Sequence, residues 1–326
     1  MRHHDSFYER AKNARKLLVL DLGFLGDTIH LLPALWEIRQ NWPDAELNVM
    51  VAAHVTTLLE VAPWIDKVWG YPRFPKGPKP WQDWDRIGKM RSERFNAVLN
   101  LNGSDRSSIL TWLSGAPLRL GRCSSFTLKN RFLFTHPIVL PRGGKLVSEQ
   151  HFELLRAAGV VCGPMEYHIS INEGLRDSVV RLLDFPSDGC RKVVHVSPFT
   201  TQDHKELPED VLASFLNSLH GHLREELMVI SCANNERERA KLARLVTLLN
   251  FTPHRIFAGT LGLLELVAVM SMSRLHLGGD SGGLHVAVMT KTPTLSWFRR
   301  YEGSVEWMPK GDQHRALFGQ QNEMGI

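Results

Sequence analysis

The 326-residue chain lacks several features that would assign a protein to a class directly. No apolar run reaches the length of a transmembrane helix, and the first ten residues contain no signal-peptide core. Its four cysteines are far apart and form no Cys-x-x-Cys pair: Cys123, Cys162, Cys190 and Cys232. We therefore expect reduced thiols, no zinc site and a location in the cytosol.

Acidic residues are absent from Arg106 to Ser148, although the net charge of the chain is only +5. The same stretch carries these basic residues: Arg106, Arg119, Arg122, Lys129, Arg131, Arg142 and Lys145. It is either a solvated loop region or a basic surface for an anionic partner. No helix-turn-helix, zinc finger or aromatic stacking motif accompanies it. An anionic lipid or glycan therefore fits as well as nucleic acid.

Short apolar segments alternate with segments of helical periodicity along most of the chain, which predicts an α/β fold with parallel sheets. The length favours two domains, which we place at residues 1–165 and 166–326. The last residues could pack back on the first domain. A connection over residues 141–174 is expected to contain a helix from Ser148 to Ala158. The proline-rich loop from Pro72 to Pro80 excludes a central strand there.

The stretch from Asp21 to Leu35 is predicted to be a strand-to-helix turn, because it follows the apolar run 17–20. Gly23 and Gly26 would let the backbone approach a ligand closely. Asp27 lies at the predicted start of the helix, where it has two possible roles. It could cap the helix, or it could be a carboxylate that accepts a proton at the mouth of a cleft. Pro33 should bend or delay this helix.

Three turns of the second half follow predicted strands and carry polar side chains. The first offers the hydroxyls of Thr200 and Thr201 and the charge of Lys205 for a phosphate, or it is simply an exposed loop. The second, Gly278 to His285, bares backbone N–H groups at a helix start, or it is a glycine turn capped by Asp280. The third places Glu236 where a carboxylate could bind a ribose. Neither a Walker loop nor the Gly-x-Gly-x-x-Gly dinucleotide fingerprint is present.

Taken together, the order and spacing of these turns resemble those of the ADP-heptose:lipopolysaccharide heptosyltransferases, glycosyltransferase family 9. The resemblance covers nearly the whole chain and is most specific at residues 26–35 and 280–285; the spacing from Thr200 to Pro208 agrees with it. It implies the GT-B fold, in which two Rossmann-like doubly wound domains face a central cleft. The family often has a serine or other small polar residue where this chain has Gly23-Phe24, and Asp-Thr-Gly where it has Asp280-Ser281-Gly282.

The resemblance also implies a role for each site residue. Asp27 would be the catalytic base, Asp280 would contact the heptose, and Glu236 would contact the nucleoside. The diphosphate would be held by Thr200, Thr201, Lys205, Ser281 and Gly282. His285 occupies a matching motif position, and the backbone at Gly23 and Gly26 would lie near the nucleotide sugar.

We therefore expect an inverting glycosyltransferase that moves heptose from ADP-heptose to an anionic lipopolysaccharide inner-core acceptor. No metal ion, other cofactor or nucleic acid is expected. Arg119 and Arg122 are our candidates for acceptor binding, because the first domain usually receives the acceptor in this fold. Contact with the cytoplasmic face of the inner membrane would be peripheral and salt-sensitive, because the sequence reveals no hydrophobic anchor.

Three alternatives remain open from the sequence. The protein could be a glycosyltransferase of the same fold that uses another nucleotide sugar or acceptor. It could be an NAD-dependent oxidoreductase, although the missing glycine fingerprint counts against that. It could also be a non-catalytic sugar-nucleotide binding protein.

Overall fold

The computed structural model describes residues 6–72, 82–141, 143–185, 192–223, 226–298 and 303–318. The chain divides into two compact units, Met1–Ser170 and Ile171–Ile326. The predicted boundary after residue 165 falls in the segment 160–172, which contains neither helix nor strand. Most of the proline-rich loop, Arg142 and Cys190 lie outside the described residues.

The N-terminal unit contains a six-stranded sheet in the order β3-β2-β1-β4-β5-β6, and all of its neighbouring strands are parallel. The strands are β1 Lys16–Leu20, β2 Glu46–Ala52, β3 Lys67–Tyr71, β4 Ala97–Asn100, β5 Leu118–Cys123 and β6 His136–Val139. The helices are α1 Phe7–Ala11, α2 Leu25–Asn41, α3 Trp84–Ser92, α4 Asp105–Leu113, α5 Leu128–Leu133 and α6 Val147–Ala157, with a 3₁₀ helix at Ala53–Val61. On one face, Leu18 and Leu20 of β1 form a buried core with residues of α3 and α4.

The C-terminal unit repeats this architecture, with six parallel strands in the order β12-β11-β10-β7-β8-β9. The strands are β7 Val193–Ser197, β8 Leu227–Cys232, β9 Arg255–Ala258, β10 Ser273–Gly279, β11 Thr294–Phe298 and β12 His314–Phe318. The helices are α7 Glu173–Leu183, α8 Glu209–His222, α9 Glu236–Leu248, α10 Leu263–Ser271 and α11 Gly282–Met289, with 3₁₀ helices at Asp203–Lys205 and Ser304–Glu306. Alternate residues of β7 pack on opposite sides, Val194 with α8 and α9 and Val193 with α7 and α10.

The two sheets have the same strand order. In each, the first strand lies between the second and the fourth, the third strand lies beyond the second, and the fifth and sixth lie beyond the fourth. In such sheets the order reverses between the first and fourth strands, and ligands bind beyond the carboxyl ends at that point. The reversal lies between β1 and β4 in the N-terminal unit and between β7 and β10 in the C-terminal unit. The turns predicted to carry Asp27, Lys205 and Asp280 follow β1, β7 and β10, so each lies at a point of reversal.

Several local predictions were wrong in instructive ways. Pro33 does not delay helix α2, which begins at Leu25 and continues for 17 residues through the proline. Packing buries every residue from Thr28 to Leu35 and offsets the missing hydrogen bond. The helix predicted as part of a connection is α6, which packs against α2 within the N-terminal unit. The edge strands β6 and β12 were missed. Pro137 of β6 is tolerated because an edge strand needs hydrogen bonds on one side only.

Candidate active site

The turn after β1 is held by the buried carboxylate of Asp21. Its Oδ1 accepts hydrogen bonds from the Gly23 N–H at 2.8 Å and from Asn102 Nδ2 at 3.1 Å. Asn102 follows β4, so the bond joins the two loops at the point where the strand order reverses. Neither Asp21 nor Asn102 was predicted to belong to the site, although a carboxylate directly after a buried strand could have indicated Asp21.

Gly23 is required by close packing rather than by its backbone angles. A Cβ atom built at Gly23 would lie 2.1 Å from the Asp27 Cβ atom, far inside van der Waals contact. A serine at this position would therefore clash with Asp27. The glycine that replaces the family's small polar residue is thus matched to the position of the Asp27 side chain.

Asp27 is the third residue of α2, and its Oδ2 accepts the Phe24 N–H at 2.7 Å. It therefore satisfies one of the backbone donors left over at a helix start. A carboxylate has two oxygens and about four acceptor positions, so a capping bond fixes its orientation without preventing it from taking a proton. The side chain is half-buried, Gly26 beside it is buried, and Phe24 is about half exposed.

A cluster of buried polar side chains lies beside this turn: His30 of α2, Arg122 of β5, and Ser148 and His151 of α6. His151 Nε2 is 3.9 Å from Asp21 Oδ2, and His30 Nδ1 is 3.4 Å from Ser148 Oγ. Burial, followed by the charges of His30 and Arg122, lowers the pKa of His151 to about 3. His151 is therefore neutral near pH 7 and packs against Asp21 without forming an ion pair.

Arg119 and Arg122, the two predicted acceptor ligands, lie on opposite faces of β5 because they are three residues apart on a strand. Arg119 is near the amino end of the strand, where it donates to the carbonyls of Leu133 at 2.9 Å and Ala116 at 2.7 Å. Arg122 is buried and donates to Gln150 Oε1 at 2.9 Å. Both side chains thus bind other parts of the N-terminal unit, and this geometry does not support acceptor binding by Arg119.

In the C-terminal unit, the loop after β7 is braced by the buried carboxylate of Glu206. Glu206 Oε1 accepts the Thr200 N–H at 2.7 Å, while Arg237 and Lys241 pair with the same carboxylate at 2.6 and 2.7 Å. The Thr200 hydroxyl donates to the Gln202 carbonyl at 2.8 Å, whereas Thr201 is exposed. The loop is therefore preorganised.

The loop after β7 reaches the end of β10. A Cβ atom at Gly279 would lie 3.3 Å from Thr200 Cγ2, and Lys205 Nζ donates to Asp280 Oδ2 at 2.7 Å. His285 Nε2 lies 3.8 Å from the other carboxylate oxygen of Asp280. Burial, followed by the charge of Lys205, lowers the pKa of His285 to about 4, so this ring is neutral near pH 7.

Ser281 precedes α11 and makes no side-chain cap bond, and its Oγ atom is buried without a hydrogen-bond partner within the described residues. The next two residues are Gly282 and Gly283, so backbone N–H groups and one buried hydroxyl lie at the same helix start. Such a start favours a negatively charged group. The remaining predicted residue, Glu236, begins α9 after the neighbouring strand β8 and is exposed.

Acidic side chains that could bind a metal ion occur in the described ranges at the start of α3. Asp83-Trp84-Asp85 has an Asp-x-Asp spacing at the start of α3, and carboxylates can bind divalent cations. Asp83 Oδ2 accepts Arg86 Nε at 2.6 Å. Those ranges contain no cluster of three or more His, Cys, Asp or Glu side chains able to hold a metal ion. Cys123, Cys162 and Cys232 are free thiols.

Two six-stranded parallel units with polar turns at the carboxyl ends of their sheets define the GT-B class of fold, and solved structures confirm this. The glycosyltransferase family 9 protein of Veillonella parvula aligns with a TM-score of 0.78 at 19% identity, covering 94% of this chain and 86% of that one. The E. coli heptosyltransferase WaaC with ADP aligns with a TM-score of 0.73 at 15% identity, covering 94% and 93%.

Sequence comparison identifies the family. The model for glycosyltransferase family 9 (heptosyltransferase) matches residues 85–324. The lipopolysaccharide core heptosyltransferase OpsX of Haemophilus influenzae is 24% identical, over 87% of this chain and 79% of that protein. Lipopolysaccharide heptosyltransferase 3 of Escherichia coli is also 24% identical, over 88% and 84%. The chain therefore belongs to glycosyltransferase family 9 and is a glycosyltransferase.

Proposed function

We propose that this enzyme transfers heptose from ADP-heptose to an anionic acceptor of the lipopolysaccharide inner core, with inversion at the anomeric carbon. The observation that carries the proposal is the pairing of Lys205 with Asp280 beside the Ser281 hydroxyl and the start of α11. This set of groups suits a diphosphate joined to a sugar. The names of the relatives, which are lipopolysaccharide heptosyltransferases, support the choice of sugar and acceptor.

On this proposal the C-terminal unit stabilises the leaving group. The Lys205 ammonium, the hydroxyls of Thr201 and Ser281, and the Gly282 N–H would hold the diphosphate as it gains charge. The Thr200 hydroxyl would join them only by giving up its bond to the Gln202 carbonyl. Asp280 carries the same charge as the diphosphate and would turn to the heptose hydroxyls instead. The 2.7 Å bond to Lys205 fixes one of its oxygens, and neutral His285 lies beside the other. Exposed Glu236 is available to a nucleoside beyond the end of β8.

The N-terminal unit supplies the base. Asp27 would take the proton from the acceptor hydroxyl as that oxygen forms a bond to the anomeric carbon and the bond to the diphosphate breaks. The bond from the Phe24 N–H holds the carboxylate in one orientation, which reduces the reorganisation needed for proton transfer. General base catalysis of this kind is worth roughly 10²- to 10⁴-fold in rate. Metal independence and the roles of these residues remain predictions.

A panel of nucleotide sugars, each incubated with a deacylated inner-core oligosaccharide, tests the donor and the reaction together. We expect product with ADP-heptose, release of ADP, and an anomeric proton signal of inverted configuration. Transfer from a different nucleotide sugar would keep the reaction class but change the donor. ADP-heptose binding without transfer or hydrolysis would instead indicate a binding protein. NAD-dependent oxidation of the sugar would point to the oxidoreductase alternative.

The lipopolysaccharide acceptor of such a reaction would lie at a membrane. Within the described ranges, no helix combines the length and apolar character needed to cross a bilayer. We propose that any membrane contact is made by the surface of the folded protein, on the cytoplasmic side of the inner membrane.

A further inference from the structure

The N-terminal unit exposes four large apolar side chains along α4 and α5. Trp112 is 40% exposed, Phe126 65%, Leu128 85% and Phe132 61%. The rings of Trp112 and Phe132 are in contact, with centroids 5.1 Å apart. Leu128 and Phe132 are four residues apart on α5, so they share one helix face, and Phe126 lies two residues before that helix. We name these four residues the apolar cluster. Contiguous exposure of this kind marks an interaction surface.

The apolar cluster begins at the same edge of the sheet as Asp27. The loop containing Phe126 follows the carboxyl end of β5, and the turn leading to Asp27 follows the carboxyl end of β1. Only β4 lies between those strands, which corresponds to a separation of about 10 Å across the sheet. A ligand layer lying on the apolar cluster would therefore be close to the edge from which Asp27 acts.

Two basic residues accompany the apolar ones on α5. Lys129 and Arg131 are exposed and flank Leu128 and Phe132. Lys129 pairs with Asp105 at 2.8 Å, but both side chains are largely exposed, so this pair is weak and readily exchanged. No acidic residue occurs between Arg106 and Ser148. Apolar side chains ringed by Lys and Arg are typical of surfaces that lie in the interface of an anionic bilayer.

We propose that the apolar cluster, together with Lys129 and Arg131, is a docking surface for an anionic lipid bilayer. Phe126, Leu128 and Phe132 insert among the lipid chains while the two cations bind headgroups. The surface supplies the hydrophobic anchor that the sequence did not reveal. The inference rests on the proposed function for its purpose, which is to bring a lipid-linked acceptor to Asp27, but it is testable without any transfer.

The test is co-sedimentation of the full-length protein with vesicles of phosphatidylcholine, with and without phosphatidylglycerol. We expect binding to the anionic vesicles, weakened by added salt. The double variant Leu128→Gln with Phe132→Gln should lower the partition coefficient about tenfold or more. The matched control is Val161→Gln with Leu248→Gln, which removes exposed apolar side chains elsewhere (74% and 47% exposed) and should bind as the wild type does. Lys129→Gln with Arg131→Gln should abolish the preference for phosphatidylglycerol.

The proposed docking surface would be wrong if the wild-type protein bound no vesicles. It would also be wrong if the Leu128→Gln with Phe132→Gln variant bound them as the wild type does. A concentration-dependent dimer that the same variant dissociates would assign the surface to a second copy of the chain instead. All variants should keep the thermal midpoint of the wild type and its transfer to the lipid-free oligosaccharide. Loss of that transfer in every protein, wild type included, would count against the proposed function and leave the vesicle result standing.

Discussion

Asp27 combines a capping bond with the catalytic role that we propose for it. Its bond to the Phe24 N–H is structural, yet it also fixes the carboxylate that we propose as the base. An asparagine could keep that bond through its amide oxygen while losing the ability to accept a proton. The two roles can therefore be separated by one substitution.

We expect Asp27→Asn to fold normally and to bind ADP as the wild type does, while turnover falls about 10²- to 10⁴-fold. Steady-state kinetics and calorimetric titration with ADP measure the two quantities on the same preparation. Near-normal turnover would reduce Asp27 to a helix cap.

Lys205 belongs to the proposed diphosphate site and also donates a hydrogen bond to the buried carboxylate of Asp280. We expect Lys205→Ala to weaken ADP binding roughly ten- to a hundredfold, because a charge-assisted hydrogen bond is worth about 1.5–3 kcal/mol. Lys192→Ala, which removes an exposed lysine of the same unit, is the matched control and should leave the affinity unchanged. Equal ADP affinity in both variants would place Lys205 outside the site.

The turn between β1 and α2 acts as a unit, since Asp21, Gly23 and Asp27 determine one another's positions. Gly23→Ala should push the Asp27 side chain away, because the new Cβ would lie 2.1 Å from the Asp27 Cβ. We expect a large fall in turnover with little change in ADP affinity. Gly221→Ala near the end of α8 is the control, since a Cβ there meets nothing within 4 Å.

The control variant should be fully active and equally or slightly more stable, because alanine is the better helix former by roughly 1 kcal/mol. If Gly23→Ala were as active as Gly221→Ala, the turn would have to rearrange without affecting the reaction, and Asp27 would lose its proposed role.

Across the whole molecule, several histidines are buried in the neutral form. Burial is the largest cause that lowers the pKa of His151 and of His195 to about 3 and that of His285 to about 4. In the unfolded chain these rings titrate near the ordinary value of about 6.5. Between these values the unfolded state binds more protons, so the free energy of unfolding falls as the pH drops below about 6.5.

We expect the thermal midpoint to fall steeply between about pH 6.5 and about pH 4, with little change from about pH 7 to about pH 8. Differential scanning calorimetry across this range measures the effect. Replacing His195 with asparagine should make the thermal midpoint fall less steeply below about pH 6.5, even if it lowers stability at neutral pH. A midpoint independent of pH down to about 4 would contradict the burial of these rings as neutral groups.

Much of the fold could be predicted because it depends on local patterns. Apolar runs of strand length, such as Val193–Ser197 and Thr294–Phe298, were placed correctly, and so was α10. Elements with weak local signals were missed, as with the six-residue helix α5 and the edge strands β6 and β12. Pairing with a neighbouring strand stabilises an edge strand, and a short sequence window does not contain that neighbour.

The sequence by itself determined the two-domain alternation, the family and the turns that carry the proposed site, because these depend on residue order and spacing. Only the tertiary structure decided which side chains meet. It joined Asp21 to Asn102, which are 81 residues apart, and Lys205 to Asp280, which are 75 apart. It also gave Arg119 and Arg122 partners inside the N-terminal unit and left the apolar cluster exposed. Strand order and burial produce these outcomes, and both arise from contacts between residues distant in the chain.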